Sequence, residues 1–255
     1  MKPQNHCLML TAVCGAVLLF TPHGYAAGRV TGFEPGDPAI TGSAGDASVQ
    51  GTFQGIAAPD PTHQFLITTI SATDGDMLSP VSGTNAVLNS ALQTFFNGTA
   101  LLGQEGAGFL VPFTVTAGDQ FLTFNYDFLT NEFGTGFHND FGFYAIFSGT
   151  TNVSSGAHNF IDAASAQSLL GPVPDANGPF GLHTGDRSYG IPVASLAPGN
   201  YTLGIGIEDA TNRQNASGLL VDNIQVAAVP EPSVVGLTIA GAILLVAVRR
   251  RMKGA

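Results

Sequence analysis

The sequence predicts an all-β domain, an antiparallel β-sandwich of jelly-roll-like type, between residues 27 and 228, and three observations carry that prediction. Apolar and polar residues alternate with period two in run after run, the pattern of strands with one buried face. Turn chemistry separates the runs: Ala117-Gly118-Asp119 and Pro198-Gly199-Asn200 join a glycine, which admits positive φ, to side chains that bond their own backbone. About 200 residues with no internal repeat are enough for one domain with a sizeable core.

At the N-terminus, Lys2 precedes an apolar run from Cys7 to Phe20, and Gly24-Tyr25-Ala26 offers small residues where a signal peptidase cuts. Residues 1–26 are read as a signal helix, so the chain is expected to be exported. Both cysteines, Cys7 and Cys14, fall inside that segment. The body that follows then has no thiol, no disulfide and no cysteine metal ligand.

Residues 29–51 are rich in Gly, Ala and Asp without periodicity and read as an extended lead-in or edge. Phe65 to Ile70 is an early strand. Thr84 to Phe96 spaces Val87, Leu88, Ala91, Leu92 and Phe95 at helical intervals, with Thr84 or Asn85 as cap, and predicts a short helix over one end of the sheets.

The clearest strands come next. Phe109, Val111, Phe113 and Val115 share one face of a strand, and Leu122, Phe124, Tyr126 and Phe128 share a face of the run Gln120–Phe128. Phe141, Phe143, Ala145 and Phe147 are expected to form the buried face of a third. Asp162 to Leu170 predicts a second short helix, and the Pro- and Gly-rich segment from Gly171 to Gly190 a long surface loop. Tyr201, Leu203, Ile205 and Ile207 mark a fourth strand, and Leu220, Ile224 and Val226 a closing one.

The charge of this body is lopsided. The whole chain carries a formal charge of −10, and between residues 27 and 228 the only cations are Arg29, Arg187 and Arg213. An anionic surface without a basic patch excludes nucleic acid as a partner, because the phosphates would be repelled.

Candidate sites rest on side-chain oxygens. Asp127, Asn131, Glu132, Asn139 and Asp140 bracket one strand-loop-strand unit, and hard oxygen ligands on a loop suit Ca²⁺. A structural calcium ion pinning that loop is one reading; the other is that these residues cap turns by bonding their own backbone. Asp74-Gly75-Asp76 and Glu208-Asp209 are lesser candidates of the same kind. Glu132 and Asp140 also have the chemistry of a glycosidase pair, but the chain has no tryptophan to stack a sugar. Tyr126, Tyr144 and Tyr189 are the alternative stacking rings, with Tyr126 assigned to the core by its alternation. No Gly-x-Ser-x-Gly elbow occurs, and His63, His138, His158 and His183 lack any paired zinc spacing. No catalytic residue is therefore assigned and no enzymatic activity is expected, with calcium the single cofactor considered.

The C-terminal stretch is the most specific part of the chain. Pro230-Glu231-Pro232 leads into an apolar run from Val234 to Val248, closed by Arg249-Arg250-Arg251-Met252-Lys253. As a helix that run would span roughly 22 Å, short of the ~20 residues of a comfortable membrane span. The cations behind it would stay on the cytoplasmic side. This arrangement resembles the PEP-CTERM sorting signal of exported proteins of Gram-negative bacteria that make extracellular polysaccharide. The resemblance implies that an exosortase-type membrane enzyme recognises residues 229–255, and that the chain is anchored only transiently in the inner membrane before reaching the cell surface or extracellular matrix. The competing reading is a plain single-pass anchor behind a stiff linker.

A second resemblance covers Glu105 to Val226. Asn131-Glu132, Asn139-Asp140-Phe141 and Val221-Asp222-Asn223 are similar to motifs of the choice-of-anchor group of β-sandwich ectodomains. It implies a fold and a location and supplies no active site. The expectation is thus a secreted or surface-bound protein of a biofilm or exopolysaccharide, structural or adhesive in role. A carbohydrate-binding module is the alternative, and a polysaccharide hydrolase a further one.

Overall fold

A strand with apolar residues at every second position must lay that face on another layer, and the strands read above do so against one another. A computed structural model of the chain describes residues 28–37, 40–59, 62–70, 105–132, 139–155, 158–209 and 215–228. The signal segment, Asp74-Gly75-Asp76, the helix expected at Thr84–Phe96, His138, Arg213 and the tail with Pro230, Glu231, Pro232, Arg249, Arg250 and Arg251 lie outside the described residues.

The first strands in order are β1 (Gly28–Thr31), β2 (Gly42–Ala44), β3 (Asp46–Gln50), β4 (Thr52–Phe53), β5 (Ile56–Ala57) and β6 (Gln64–Thr68). Then come β7 (Glu105–Val115), β8 (Asp119–Thr130), β9 (Phe141–Ser148), β10 (Thr151–Asn152) and β11 (His158–Asp162), followed by helix α1 (Ala163–Ala166). The chain continues through β12 (Gly171–Pro172), β13 (Leu182–His183), β14 (Arg187–Pro192), β15 (Gly199–Asp209) and β16 (Ser217–Ala228). One sheet runs β12-β13-β8-β16-β6-β3, with β14 also on β8 and β1 also on β16. The other runs β10-β9-β15-β7-β2, with β11 also on β9, and β4 pairs with β5 alone. All these pairings are antiparallel.

The chain changes sheets at Gly45, between β2 on β7 and β3 on β6. Gly45 has φ +66°, and a Cβ there would lie 2.5 Å from the Gly106 carbonyl oxygen. Only glycine fits such a corner.

Between the sheets, Leu122, Phe124, Tyr126 and Phe128 of β8 meet Phe109, Val111, Phe113 and Val115 of β7 and Leu203, Ile205 and Ile207 of β15 in one buried cluster. Phe65 and Phe109 pack at 4.5 Å between centroids, with Phe33 beside both. The alternation of these strands thus reads their faces correctly.

Two of the expected strands carry more than their alternation shows, and one expectation is corrected. From β9 the central cluster takes Tyr144 and Ile146, while Phe141, Phe143, Ala145 and Phe147 share the opposite face. Both sets are buried, so hydrophobicity alone does not say which face meets the core. In β16, Leu219 and Val221 join the core, the register slips between Asp222 and Gln225, and Ile224 and Val226 then take over. Asn223, at φ +50°, is the extra residue of that bulge, and Leu220 consequently faces away from Ile224 and Val226. The surface loop expected at 171–190 contains the edge strand β12, β13 between β12 and β8, and much of the edge strand β14. Its Gly and Pro are tolerated because edge strands leave one side of the ladder free.

That same segment builds a second core on the far face of the first sheet, where Val173 and Phe180 pack on Leu66, Leu129 and Leu220. Gln54, at the tip of the β4–β5 hairpin, clamps it: its Nε2 donates to the Asp175 and Phe180 carbonyls, and its Oε1 accepts from the Phe180 N–H. The short helix read near Asp162 is present as α1. Asp162 caps it, accepting from the Ser165 N–H while Ser165 Oγ accepts from the Asp162 N–H. Among the described residues no helix is long and apolar enough to cross a membrane.

Candidate ligand-binding cleft

Two sheet edges face each other along one side of the sandwich. β14 borders the first sheet there, and β9 with its short partners β10 and β11 borders the second. Aromatic rings fill the inner part of the gap. Phe160 of β11 meets Phe124 and Tyr126 edge-on at 5.2 Å each and lies 5.3 Å from Tyr189 of β14. Tyr144 sits 5.8 Å from Tyr189 and stacks under His158, with centroids 5.2 Å apart and planes inclined by 23°. Burial, then the charge of Tyr189 and a hydrogen bond with it, pushes the Tyr144 phenol up to about 12. It is a neutral hydrogen-bonding group at any ordinary pH.

Outside this wall the gap stays open as a cleft of about 240 Å³. Buried Tyr144, Ile146 and Ile191 form its floor, and half-buried Val153, Ser154, His158 and Leu196 its sides. Ser155, Pro192 and Ser195 are exposed at the lip. The loop beside it is tightly built: Ser154 Oγ accepts from the Ile146 N–H at 3.0 Å and donates to Asn152 Oδ1 at 2.9 Å. His158 Nε2 bonds the Ser154 carbonyl oxygen. A carbonyl only accepts, so Nε2 carries the proton and Nδ1 is the acceptor of the neutral ring. Ser155 is held at φ +65°, a conformation that non-glycine residues adopt at a cost.

The residues of the acidic set singled out from sequence have separate protein partners. Asp127 Oδ2 pairs with His183 Nδ1 at 2.7 Å, and its Oδ1 accepts from Thr184 Oγ1 at 3.2 Å. Asn131 bridges the second core's loop, donating to the Pro179 carbonyl and accepting from the Gly181 N–H. Asn139 accepts from the Ala164 N–H of α1 at 2.8 Å. Only Glu132 and Asp140 meet, the Asp140 N–H donating to Glu132 Oε2 at 3.2 Å. Burial pushes the Glu132 carboxyl up to about 7, against the pull of that N–H and with the help of the Asp209 charge. Among the described residues no three His, Cys, Asp or Glu side chains are placed to hold a metal together.

Those partners follow from strand geometry. Asp127 lies on β8 one step out of phase with Tyr126 and Phe128, so it faces away from the core toward β13, whereas Asn139 enters β9 beside α1. A second, smaller cavity of about 20 Å³ lies beside Asn125, Asp127, Asp186 and Asp222, with room for about one water. Burial raises the Asp186 carboxyl there, a hydrogen bond from Asn125 opposes it, and the Asp127 charge adds to the rise.

Of the residues noted in sequence as sugar-stacking rings, the structure brings Tyr126, Tyr144 and Tyr189 into one aromatic wall. His158, Ser155, Ser195 and Leu196 escaped notice as site residues. Nothing local marks them, because they come from two edges that meet only in the folded sandwich.

No family model matches the chain, and no curated protein matches it. Among solved structures it is distantly similar to carbohydrate-binding modules. One is a module of the CBM28 family described as specific for non-crystalline cellulose, 11% identical, covering 80% of this chain and 97% of that one, with a TM-score of 0.41. Another is the family 11 module of a cellulosomal cellulase of Clostridium thermocellum, also 11% identical, covering 82% and 98% with a TM-score of 0.32. The enzymatically active domain of tailspike protein 4 of bacteriophage CBA120 is similar over 73% of this chain and 19% of that one, at 6% identity and a TM-score of 0.33.

Proposed function

We propose that the chain is an exported binding module of the cell surface or extracellular matrix, which holds extracellular polysaccharide in the cleft between β14 and β9. The observation that carries this reading is the cleft itself, an open cavity against an aromatic wall, lined by hydroxyls and an imidazole. Ligand sites combine a preformed concave surface with a few well-placed polar groups, and at about 240 Å³ this one takes a single sugar residue or chain end. The export signal and the Pro230-Glu231-Pro232 tail support the location: the chain would be released at its N-terminus, halted briefly in the inner membrane by 234–248, and cut and transferred by an exosortase-type enzyme. Its task is then retention of matrix, structural or adhesive, with no reaction assigned.

Co-sedimentation of the full chain with polysaccharide from a producing bacterium tests the binding. Ser195→Trp, an exposed substitution that fills the cleft, should abolish retention without altering the far-ultraviolet spectrum; unchanged retention would move the site elsewhere. Mass spectrometry of the C-terminus tests the sorting. An intact Arg249 to Ala255 tail on all surface protein would leave a permanent anchor.

A further inference from the structure

We propose that the cleft is built for an uncharged, hydroxyl-rich sugar, read by His158 Nδ1 and the hydroxyls of Ser155 and Ser195. The inference rests on the binding reading above and adds the chemical class of the ligand.

Its polar groups are hydroxyls and one imidazole. Among the described residues, no carboxylate, ammonium or guanidinium lines the cleft. A uronate or sulfated sugar seated there would lose water from its charge and gain no counter-charge, which is costly. The surroundings oppose it further, because seventeen of the chain's 18 carboxylates but only three cations lie between residues 27 and 228. A cationic amino sugar finds no carboxylate partner among the described residues of the cleft either.

What the cleft does offer matches a sugar's own hydroxyls. Ser154 is already committed, to the Ile146 N–H and to Asn152, and so serves the wall rather than the ligand. Among the described residues, Ser155 and Ser195 have no protein partner for their hydroxyls, and both stand at the open lip. Each is at once donor and acceptor. With Nε2 of His158 held by the Ser154 carbonyl, Nδ1 is the acceptor of the neutral ring, suited to a sugar O–H. Two adaptable hydroxyls and one fixed acceptor around one small cavity describe a neutral polyol.

The test is calorimetry and an oligosaccharide array on the full chain, with dextran, mannan and β-glucan oligosaccharides set against alginate and polygalacturonate. The expected result is binding of at least one neutral oligosaccharide and none of the uronates, even at about 1 M salt, where the Debye length falls to about 3 Å and general repulsion is screened. The double variant Ser155→Gly, Ser195→Ala should weaken binding about tenfold or more, with glycine suited to the positive φ at 155. His158→Phe keeps a ring over Tyr144 and should produce a similar loss. Uronate binding, or neutral binding unaffected by these variants, overturns the inference while the polysaccharide-binding reading stands. Binding of neither class overturns both.

Discussion

The imidazole of His158 lies stacked on the phenol ring of Tyr144, 5.2 Å between centroids, and Tyr144 in turn reaches across the sandwich to Tyr189. One residue therefore ties the edges of both sheets together and forms the floor of the cleft. Tyr144→Phe keeps the ring and removes only the hydroxyl, leaving Tyr189 to lose a bond worth about 1 kcal/mol net. Tyr144→Ala also opens a cavity in the wall and should cost about 3–5 kcal/mol. Urea unfolding of the two variants checks that ratio.

Glu132 gives the fold a pH dependence of definite sign. Its carboxyl sits at about 7 in the folded chain, against 4.5 as the ordinary value. Between those values the unfolded chain binds fewer protons, so stability falls as pH rises from 4.5 to 7 and levels off above. Glu132→Gln keeps an acceptor for the Asp140 N–H and should remove this slope. A gain of about 1–2 kcal/mol at pH 8, discounted for screening near the strand end, is expected in denaturant titrations, with little change at pH 4.

Gly45 is the corner where the chain leaves one sheet for the other. A methyl group there strains a positive φ and meets the Gly106 oxygen at 2.5 Å, backbone that cannot turn aside. Gly45→Ala should cost about 1–3 kcal/mol, while alanine at Gly171, where a Cβ meets nothing within 4 Å, should be near neutral. Thermal melts of the pair make the comparison.

Asn131 holds the loop over the second core through the Pro179 carbonyl at 2.6 Å and the Gly181 N–H at 2.8 Å. Asn131→Ala should cost about 1–2 kcal/mol and open that loop locally. Hydrogen exchange should then quicken at residues 173–181 and remain unchanged along β15.

How far the sequence foretold this depends on what each residue faces. β7, β8 and β15 alternate cleanly and were placed on the right faces, because each sends one continuous apolar set into the central core. β9 is buried on both sides, so its phenylalanines share a buried face as expected, while Tyr144 and Ile146 on the other face meet the central core. In β16 a single bulge at Asn223 reverses the phase halfway along, which no period-two pattern shows. Edge strands β12 and β14 look like loop because glycine and proline are compatible with an unpaired side. The acidic residues were legible as a group in the chain, but alternation and the neighbouring loops divide them among His183, Pro179, α1 and Asp140. Tyr144 and Tyr189 stood out as rings, whereas the cleft beside them is made by the distance between two sheet edges.

The central claim is that polysaccharide occupies this cleft, and hydrogen exchange of the full chain with and without its matrix polysaccharide tests it most directly. Exchange should slow at residues 152–155 and 191–196, which border the cleft, and stay unchanged around Glu132 and Asp140. Slowing confined to that acidic end, with the cleft residues unaffected by bound polysaccharide, would contradict the account.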